Sequence, residues 1–358
     1  MNQYTTADDR LERKVTVMTA RRRFKIVLSL LAVGLMTLVI HASAKEIPEH
    51  LPESGNEEVD TSQPVQVYIL AGQSNMVGMG EISGDRPGTL ETITEGGKFP
   101  HLVDDNGDWT ARKDVYYVEA RLNNPYVAGP LTVPPHPGKS TIGPEVQFGH
   151  IMGYYHEAQV LVIKTAQGNR ALGWDFRPPS SGFLPDIEDD LRKWEGREYR
   201  LMVDRVRRTL VHIEDILPNY QGQGYEIAGF VWWQGHRDGG KKKRTENYEK
   251  HLVNLINDIR DEFDVPGLPV AIATVGFGGH DMEGNYLKIL KAQMAVSDPE
   301  QHPELAENVF SVDIRDFWRS AEESPKRQGY HYNRNAETFM LVGDALGRGM
   351  VQLLEAGG

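Results

Sequence analysis

Five short apolar runs divide the chain into regular blocks. Each run has the length of one buried parallel strand, because a strand that is covered on both faces is apolar throughout instead of alternating. The runs occupy residues 65–71, 160–165, 227–233, 270–275 and 309–314. The pattern therefore predicts a five-stranded sheet that is buried on both sides.

Segments with the 3.6-residue period of amphipathic helices lie between these runs. Apolar residues recur in this way over 148–155, 203–217 and 248–263, and Thr245 is a predicted cap of the third segment. Alternating strands and helices predict a parallel sheet with right-handed crossovers. We expect an α/β protein: one three-layer α/β/α sandwich of the flavodoxin-like type that spans residues 64–358.

The first 44 residues have the pattern of a targeting segment. Arg21, Arg22 and Arg23 precede an apolar stretch over 26–40, and the small residues of 42–44 fit a cleavage site. We predict a secretory signal peptide, with an uncleaved membrane anchor as the alternative, and hence an exported protein, periplasmic or extracellular. Residues 45–63 are polar and are predicted to form a linker.

Charge and cysteine content exclude several classes of function. The formal net charge is −12, and removing residues 1–44 shifts it to about −16, which argues against nucleic acid as a partner. The basic run 241–244 is a local exception that fits a solvated loop or, as the alternative, a subsite for an acidic or sulfated sugar. The chain has no cysteine, and its twelve histidines show no ligand spacing. We therefore expect no disulfide and no metal site.

Candidate chemistry follows the strands, because ligands of open parallel sheets bind at the carboxyl ends. The segment Gly72-Gln73-Ser74-Asn75-Met76 comes directly after the first run. Ser74 fits either a helix cap or a nucleophile, and a nucleophilic serine needs a histidine base within reach. His331 is the candidate base.

Two further post-strand turns supply candidate donors for an oxyanion. Backbone N–H groups at Ser74 and Gly168, together with the Gln234 amide, are suitable donors for one such site. Long insertions over 77–143 and 168–198 are expected to form the substrate cleft. The predicted substrate-binding residues are Gln73, Asn169, Arg170, Trp233 and His236.

These motifs together resemble a known family. Gly-Gln-Ser-Asn-Met, the block Trp-Trp-Gln-Gly-x-x-Asp over 232–238 and the late His331 are similar to the SGNH hydrolase superfamily, sialate O-acetylesterase and acetyl xylan esterase type (carbohydrate esterase family six). The resemblance implies that Ser74 attacks an acetyl ester and that His331 is the base. It also implies that Gly168 and Gln234 complete the oxyanion hole and that no cofactor is required.

The chain departs from the family pattern at both usual acid positions. Gln328 stands three residues before His331, where Asp is usual, and His236 stands two residues after Gln234, where some members have Glu. A neutral glutamine orients an imidazole but does not stabilise an imidazolium as a carboxylate does. Asp238 is the first candidate for the triad acid. Asp313 and Asp316 are the next.

The sequence favours an exported serine esterase that removes O-acetyl groups from an oligo- or polysaccharide. One alternative is a carbohydrate-binding protein that keeps the esterase fold without turnover, which the missing acids motivate. Another is a lipid or aryl esterase of the same superfamily. The sequence leaves open the glycan, the acetyl position and the oligomeric state.

Overall fold

A seven-stranded sheet forms the centre of the computed structural model, which describes residues 45–54, 58–120, 127–185, 187–188 and 190–357. The strand order is β4-β3-β6-β1-β7-β8-β9; β3 and β4 pair antiparallel, and all other neighbours are parallel. Strands β2 and β5 form a separate ribbon. The strands are β1 (Val65–Gly72), β2 (Gly80–Glu81), β3 (Ala111–Glu119), β4 (Val127–Thr132), β5 (Thr141–Ile142), β6 (Val160–Lys164), β7 (Tyr225–Trp233), β8 (Val270–Ala273) and β9 (Val309–Val312).

The five apolar runs of the sequence are β1, β6, β7, β8 and β9. Every residue of β6 and β8 is buried, because helices cover both faces of the sheet. Strand β1 is central: Ile69 lies opposite Ile163 of β6 on one side and Phe230 of β7 on the other. The predicted three-layer α/β/α architecture is confirmed.

The predicted count of five strands is wrong, because β3 and β4 extend the sheet on the β6 side. Both strands lie in the segment 77–143, which the sequence pattern predicts to be part of the substrate cleft. Strand β3 lacks a continuous apolar run because Arg112 and Asp114 are buried in it as an ion pair. Strand β4 contains Pro130, which lacks an amide donor and is tolerated because β4 is the edge of the sheet.

Helices on the two faces of the sheet build two apolar cores. Alternate residues of a strand point to opposite faces, so Trp232 belongs to one core and Trp233 to the other. The helix bounds are α1 (Ser74–Val77), α2 (Leu90–Glu95), α3 (Glu145–Tyr155), α4 (Arg197–Val211), α5 (Ile213–Ile216), α6 (His236–Gly239), α7 (Lys242–Glu246), α8 (Tyr248–Phe263), α9 (Gly284–Ala295) and α10 (Ala336–Gly357). The longer helices of the first core are α4, α8 and α9, and those of the second are α3 and α10.

Helix α8 has the predicted apolar period but a different cap. Its N-cap residue is Asn247 rather than Thr245. Thr245 lies in the preceding short helix α7, and its hydroxyl donates to the carbonyl oxygens of Asp238 in α6 and of Lys241, the residue before α7.

The segment predicted as a linker lies against the domain over its first residues. Leu51 is buried, and the Arg348 guanidinium donates to the carbonyl oxygens of Ile47 and Pro48. Glu46–Gly358 forms one compact unit. The predicted signal peptide or anchor, residues 1–44, lies outside the described residues, and the division into leader, linker and domain stays a prediction. In the part of the chain that is described, no helix is long and apolar enough to cross a membrane.

Three buried histidines carry lowered pKa values. The rings of His101 and His150 pack edge to face in the second core, with their centroids 4.8 Å apart. Burial lowers the pKa of His101 to about 4 and that of His150 well below its usual value. Burial and the neighbouring Arg177 lower the pKa of His251 to about 4. These side chains are therefore neutral in the folded protein at mildly acidic pH.

This predicts that stability falls steeply with acidification. Below about pH 6.5 the unfolded chain protonates these histidines while the folded protein does not, so stability is lost from there down to the folded-state pKa near 4. We expect His150→Leu to reduce the dependence of the free energy of unfolding on pH in this window, as measured by urea denaturation. Met152→Leu, a non-titrating change in the same helix, should leave the pH dependence unaltered. An equal slope in wild type and His150→Leu would contradict the assignment.

Candidate active site

Ser74 lies at the point where β1 gives way to α1. Gly72, the last residue of β1, has φ +152, and a Cβ atom there would lie 2.2 Å from the carbonyl oxygen of Trp233. Only glycine fits this position, and the chain turns sharply into Gln73 and Ser74. Ser74 is the first residue of α1 and is 8% exposed. The close approach therefore presents one serine at the carboxyl end of the central strand.

Gly168 lies next to Ser74 in the turn that follows β6. A Cβ atom on Gly168 would lie 3.9 Å from Ser74 Cβ, and Gln167 N–H donates to the Gly72 carbonyl at 3.1 Å. Within the described residues, the backbone N–H groups of Ser74 and Gly168 have no acceptor. Two adjacent backbone donors beside a serine are suited to an oxyanion. The structure thus brings together this predicted pair.

Gln234 joins the end of β7 to the Ser74 turn. Its amide nitrogen donates to Gln73 Oε1 at 3.1 Å, Asp238 Oδ2 at 2.8 Å and the Arg170 carbonyl at 2.8 Å. Its amide oxygen accepts from the Tyr248 hydroxyl at 3.0 Å. The amide predicted to face an oxyanion is therefore engaged by acceptors of the protein.

Asp238 is fully buried and holds the loop that follows Arg170. Its carboxylate accepts from the backbone N–H groups of Leu172 at 2.8 Å and Gly173 at 2.9 Å, and from Gln234. Burial raises the pKa of Asp238, although these hydrogen bonds oppose the shift. None of its hydrogen bonds goes to His331. The structure does not bring the predicted acid and base together.

His331 lies half-buried near His236 at this end of the sheet. The pKa of His331 is lowered to about 4, first by burial and then by the positive charges of Arg334 and His236. Its Nδ1 atom is buried without a hydrogen-bond partner among the described residues. The ring of Tyr332, the next residue, packs against Trp233 with the ring centroids 5.4 Å apart, and Trp233 lies opposite Gly72 in the sheet. His331, the predicted base, is thus placed at the same sheet end as Ser74, with no hydrogen bond joining the two side chains in the part described.

The other candidate acids have partners of their own. Asp313 forms an ion pair with Arg315, with Oδ2 2.9 Å from Nε, and Asp316 Oδ1 lies 2.6 Å from His280 Nε2. Gln328 donates to the Tyr330 hydroxyl and accepts from Arg334 Nε, both at 3.0 Å. None of these contacts reaches His331, so the imidazole has no carboxylate partner in the described structure.

A left-handed turn follows His331. Tyr332, Asn333 and Arg334 have φ values of 50, 53 and 59, a conformation that costs about 1–2 kcal/mol for each residue with a side chain. The Asn333 carboxamide oxygen accepts from the N–H groups of Gln328 and Gly329, each at 2.9 Å, and its nitrogen donates to the Arg319 carbonyl at 3.0 Å. These bonds hold the turn that presents His331.

Sequence reasoning missed an aromatic cluster beside the base, made of His236, Phe277, Tyr286 and Tyr330. The His236 ring stacks on Tyr286 with centroids 5.5 Å apart, and it lies 5.1 Å from Phe277 and 5.9 Å from Tyr330. Burial, followed by the charge of Arg237, lowers the pKa of His236. Tyr330 is 46% exposed. Tyr330 adjoins His331 in the chain, but Phe277 and Tyr286 belong to segments that carried no motif.

The remaining predicted substrate residues divide into buried and exposed positions. Trp233 is 1% exposed and donates its indole N–H to the Thr274 carbonyl, so it packs in the core and does not form the floor of a sugar site. Gln73 is buried, and its amide oxygen accepts from the N–H groups of Gly235 and Arg237. Asn169 is exposed, and Arg170 is held by Glu198 at 3.2 Å.

Comparison with known proteins identifies the family. The model of the family described as carbohydrate esterase, sialic acid-specific acetylesterase matches residues 64–347. The chain belongs to this family. The resemblance drawn from the Ser74, Gln234 and His331 motifs is thereby confirmed.

Relatives of this carbohydrate esterase are distant. The probable carbohydrate esterase At4g34215 of Arabidopsis thaliana is 23% identical over 248 residues, which cover 68% of this chain and 80% of the relative. Its solved structure has a TM-score of 0.49 at 19% identity and covers 80% of this chain and 98% of that one. The structure of XAC1771, a carbohydrate acetylesterase from Xanthomonas citri, has a TM-score of 0.50 at 13% identity and covers 79% and 57%.

The hydrogen bonds of Asn333 lead to a stability prediction for the left-handed turn. Asn333→Ala and Asn333→Gly lose the same side-chain bonds, but only alanine pays for the left-handed backbone. We expect the alanine variant to be less stable than the glycine variant by about 1 kcal/mol in urea unfolding. A glycine variant that is equally or less stable would show that the turn relaxes once the side chain is removed.

Proposed function

We propose that this carbohydrate esterase is a serine esterase that removes O-acetyl groups from a glycan through an acetyl-enzyme intermediate. The observation that carries the proposal is the placement of Ser74 at the end of the central strand, beside the N–H groups of Ser74 and Gly168, which have no acceptor among the described residues. A serine next to two free backbone donors fits acyl transfer, in which negative charge develops on the former carbonyl oxygen.

The steps follow from the groups present. His331 accepts the proton of the Ser74 hydroxyl as its oxygen forms a bond to the acetyl carbonyl carbon. The N–H groups of Ser74 and Gly168 donate to the resulting oxyanion. His331 then gives the proton to the departing sugar oxygen, and a water molecule, deprotonated by the same imidazole, releases acetate from Ser74. This mechanism requires His331 and Ser74 to come into hydrogen-bond contact when substrate is bound.

Different residues surround the proposed oxyanion donors and the proposed base, His331. On the oxyanion side, Asp238 fixes the loop at Leu172 and Gly173 and orients Gln234. We propose that Asp238 acts there, as a positioning residue, and that His331 works without a carboxylate. On the base side, the aromatic cluster of His236, Phe277, Tyr286 and Tyr330 offers an apolar surface for a sugar ring.

An O-acetylated sugar of the sialic acid type is the substrate that the family description favours, and the exported location predicted from residues 1–44 would suit it. A second candidate is a carbohydrate-binding protein without turnover. It is favoured by the absence, among the described residues, of a carboxylate partner for His331. The two candidates differ in whether Ser74 reacts.

Acetate release from an acetylated sugar and from 4-nitrophenyl acetate tests the assignment. We expect Ser74→Ala and His331→Ala to abolish turnover to near background, because each removes a reacting group. Reaction of Ser74 with a serine-directed organophosphonate should parallel turnover. Glycan binding with neither turnover nor phosphonylation in the wild type would establish the binding-protein alternative.

Asp238→Asn separates the two roles of that carboxylate. A triad acid governs the basicity of the histidine, so its loss would change the pH dependence of kcat/KM. We expect instead that Asp238→Asn lowers kcat and thermal stability while the acid limb of the pH profile stays in place. A displaced acid limb would restore Asp238 to the triad.

The lowered pKa of His331 predicts activity at mildly acidic pH. A general base acts in its neutral form, so kcat/KM should stay level as the pH falls to about 5 and decline as it approaches the His331 pKa of about 4. Arg334→Met removes a positive charge that lowers this pKa, so its acid limb should move to higher pH. Brief assays with preincubation controls separate titration from acid unfolding. A wild-type limb near pH 7 would contradict the assignment.

A further inference from the structure

Two lysine side chains converge on one backbone carbonyl behind the Ser74 turn. Lys164 Nζ, at the end of β6, donates to the Val77 carbonyl oxygen at 2.9 Å, and Lys139 Nζ donates to the same oxygen at 2.8 Å. Val77 is the last residue of α1, and Ser74 is the first. A helix of one turn has too few internal hydrogen bonds to hold its own orientation. The direction of α1 is therefore set by what binds its ends.

Lys164 is one partner of a fully buried ion pair. Its Nζ lies 2.9 Å from Glu145 Oε2, and the two side chains are 1% and 0% exposed. Burial lowers the pKa of Lys164, and the nearby Glu145 carboxylate opposes the shift. Glu145 also accepts from Gly143 N–H at 3.1 Å. A buried pair of this kind is on average no more stabilising than apolar residues of the same size. Stability alone does not account for it.

The backbone next to Val77 is fixed against the same segment. A Cβ atom on Gly78 would lie 2.5 Å from the Gly143 nitrogen, so the two backbone segments are in direct contact. The Thr141 hydroxyl donates to the Gly78 carbonyl at 2.9 Å. Glu119 accepts from Lys139 at 3.2 Å and orients it. The end of α1 is thus anchored to β6, to the start of α3 and to the segment 139–143.

We propose that Lys164, held by Glu145, is a positioning residue that acts through the Val77 carbonyl to set the direction of α1, and with it the Ser74 hydroxyl and N–H group. This inference rests on the proposed esterase function. The ion pair touches neither substrate nor reacting atoms. Its effect is on geometry, for which a displacement of about 1 Å can cost about a hundredfold in rate.

Lys164→Met tests the proposal, because methionine keeps an unbranched side chain of nearly the same length and lacks the ammonium group. We expect kcat for 4-nitrophenyl acetate to fall at least about tenfold while KM changes little, and phosphonylation of Ser74 to slow by a similar factor. Arg112→Met is the matched control, since Arg112 belongs to another buried ion pair, with Asp114, in the same sheet. It should lower the melting temperature and leave kcat nearly unchanged.

The absence of cysteine from the chain allows a chemical rescue. Lys164→Cys would carry the only thiol, and alkylation in denaturant with 2-bromoethylamine followed by refolding restores an ammonium at almost the length of lysine. Iodoacetamide gives a neutral adduct as the control, and wild type taken through the same refolding gives the reference. We expect the ammonium adduct to regain most of kcat and the neutral adduct to regain little.

The outcomes separate this inference from the proposed function. A wild-type protein with neither turnover nor Ser74 phosphonylation would refute the esterase. An active wild type whose Lys164→Met variant keeps kcat within about twofold, or a neutral adduct that rescues as well as the ammonium, would refute the positioning role alone. If Lys164→Met and both adducts fail to fold, Lys139→Met is the deciding variant, because Lys139 donates to the same Val77 carbonyl and is less buried than Lys164. Slower phosphonylation of Ser74 in this variant would support positioning through the Val77 carbonyl. An unchanged rate would overturn it.

Discussion

The contact between Gly72 and the Trp233 carbonyl is the constraint on which the site depends. Two parallel strands, β1 and β7, end together there, and the lack of a side chain at Gly72 lets the backbones approach so closely that the chain must turn. The turn places Ser74 at the head of a single helical turn. It also brings Gln73 against Gln234, and Gly168 against Ser74. Any side chain at position 72 would push the two backbones apart and so displace all of these groups at once.

Buried polar groups hold this arrangement from both ends of α1. In front, Gln234 and Asp238 use their hydrogen-bonding atoms on the backbone and on one another, which fixes the loops, whereas the N–H groups of Ser74 and Gly168 have no acceptor among the described residues. Behind, Lys164 donates to the last carbonyl of the helix and is itself held by its ion pair with Glu145. Buried groups of this kind are costly when unpaired, so each one restricts the position of its partners.

The base side is organised differently. Among the described residues no carboxylate is hydrogen-bonded to His331, and its lowered pKa follows from burial and from Arg334 and His236. Its position depends on a left-handed turn held by Asn333. A neutral, fixed imidazole of this kind is available as a base over a wide pH range. In the proposed mechanism such an imidazole gains less than a triad histidine when it becomes charged, because no carboxylate among the described residues stabilises the imidazolium.

The sequence by itself determined the five central strands, the main helices, the family and the residues at the strand ends, since these depend on local apolar period and on short contiguous motifs. It did not determine β3 and β4, where a buried ion pair and an edge proline hide the strand pattern. It also misjudged Trp233, which is buried in the core, and it did not reveal that Asp238 binds the loop at Leu172 and Gly173, because strand parity and loop contacts decide what a residue faces. The tertiary structure alone brought Lys164 to Val77 and the aromatic cluster to His331. Most of these contacts join residues that lie far apart in the chain, and no local sequence pattern predicts that such residues meet.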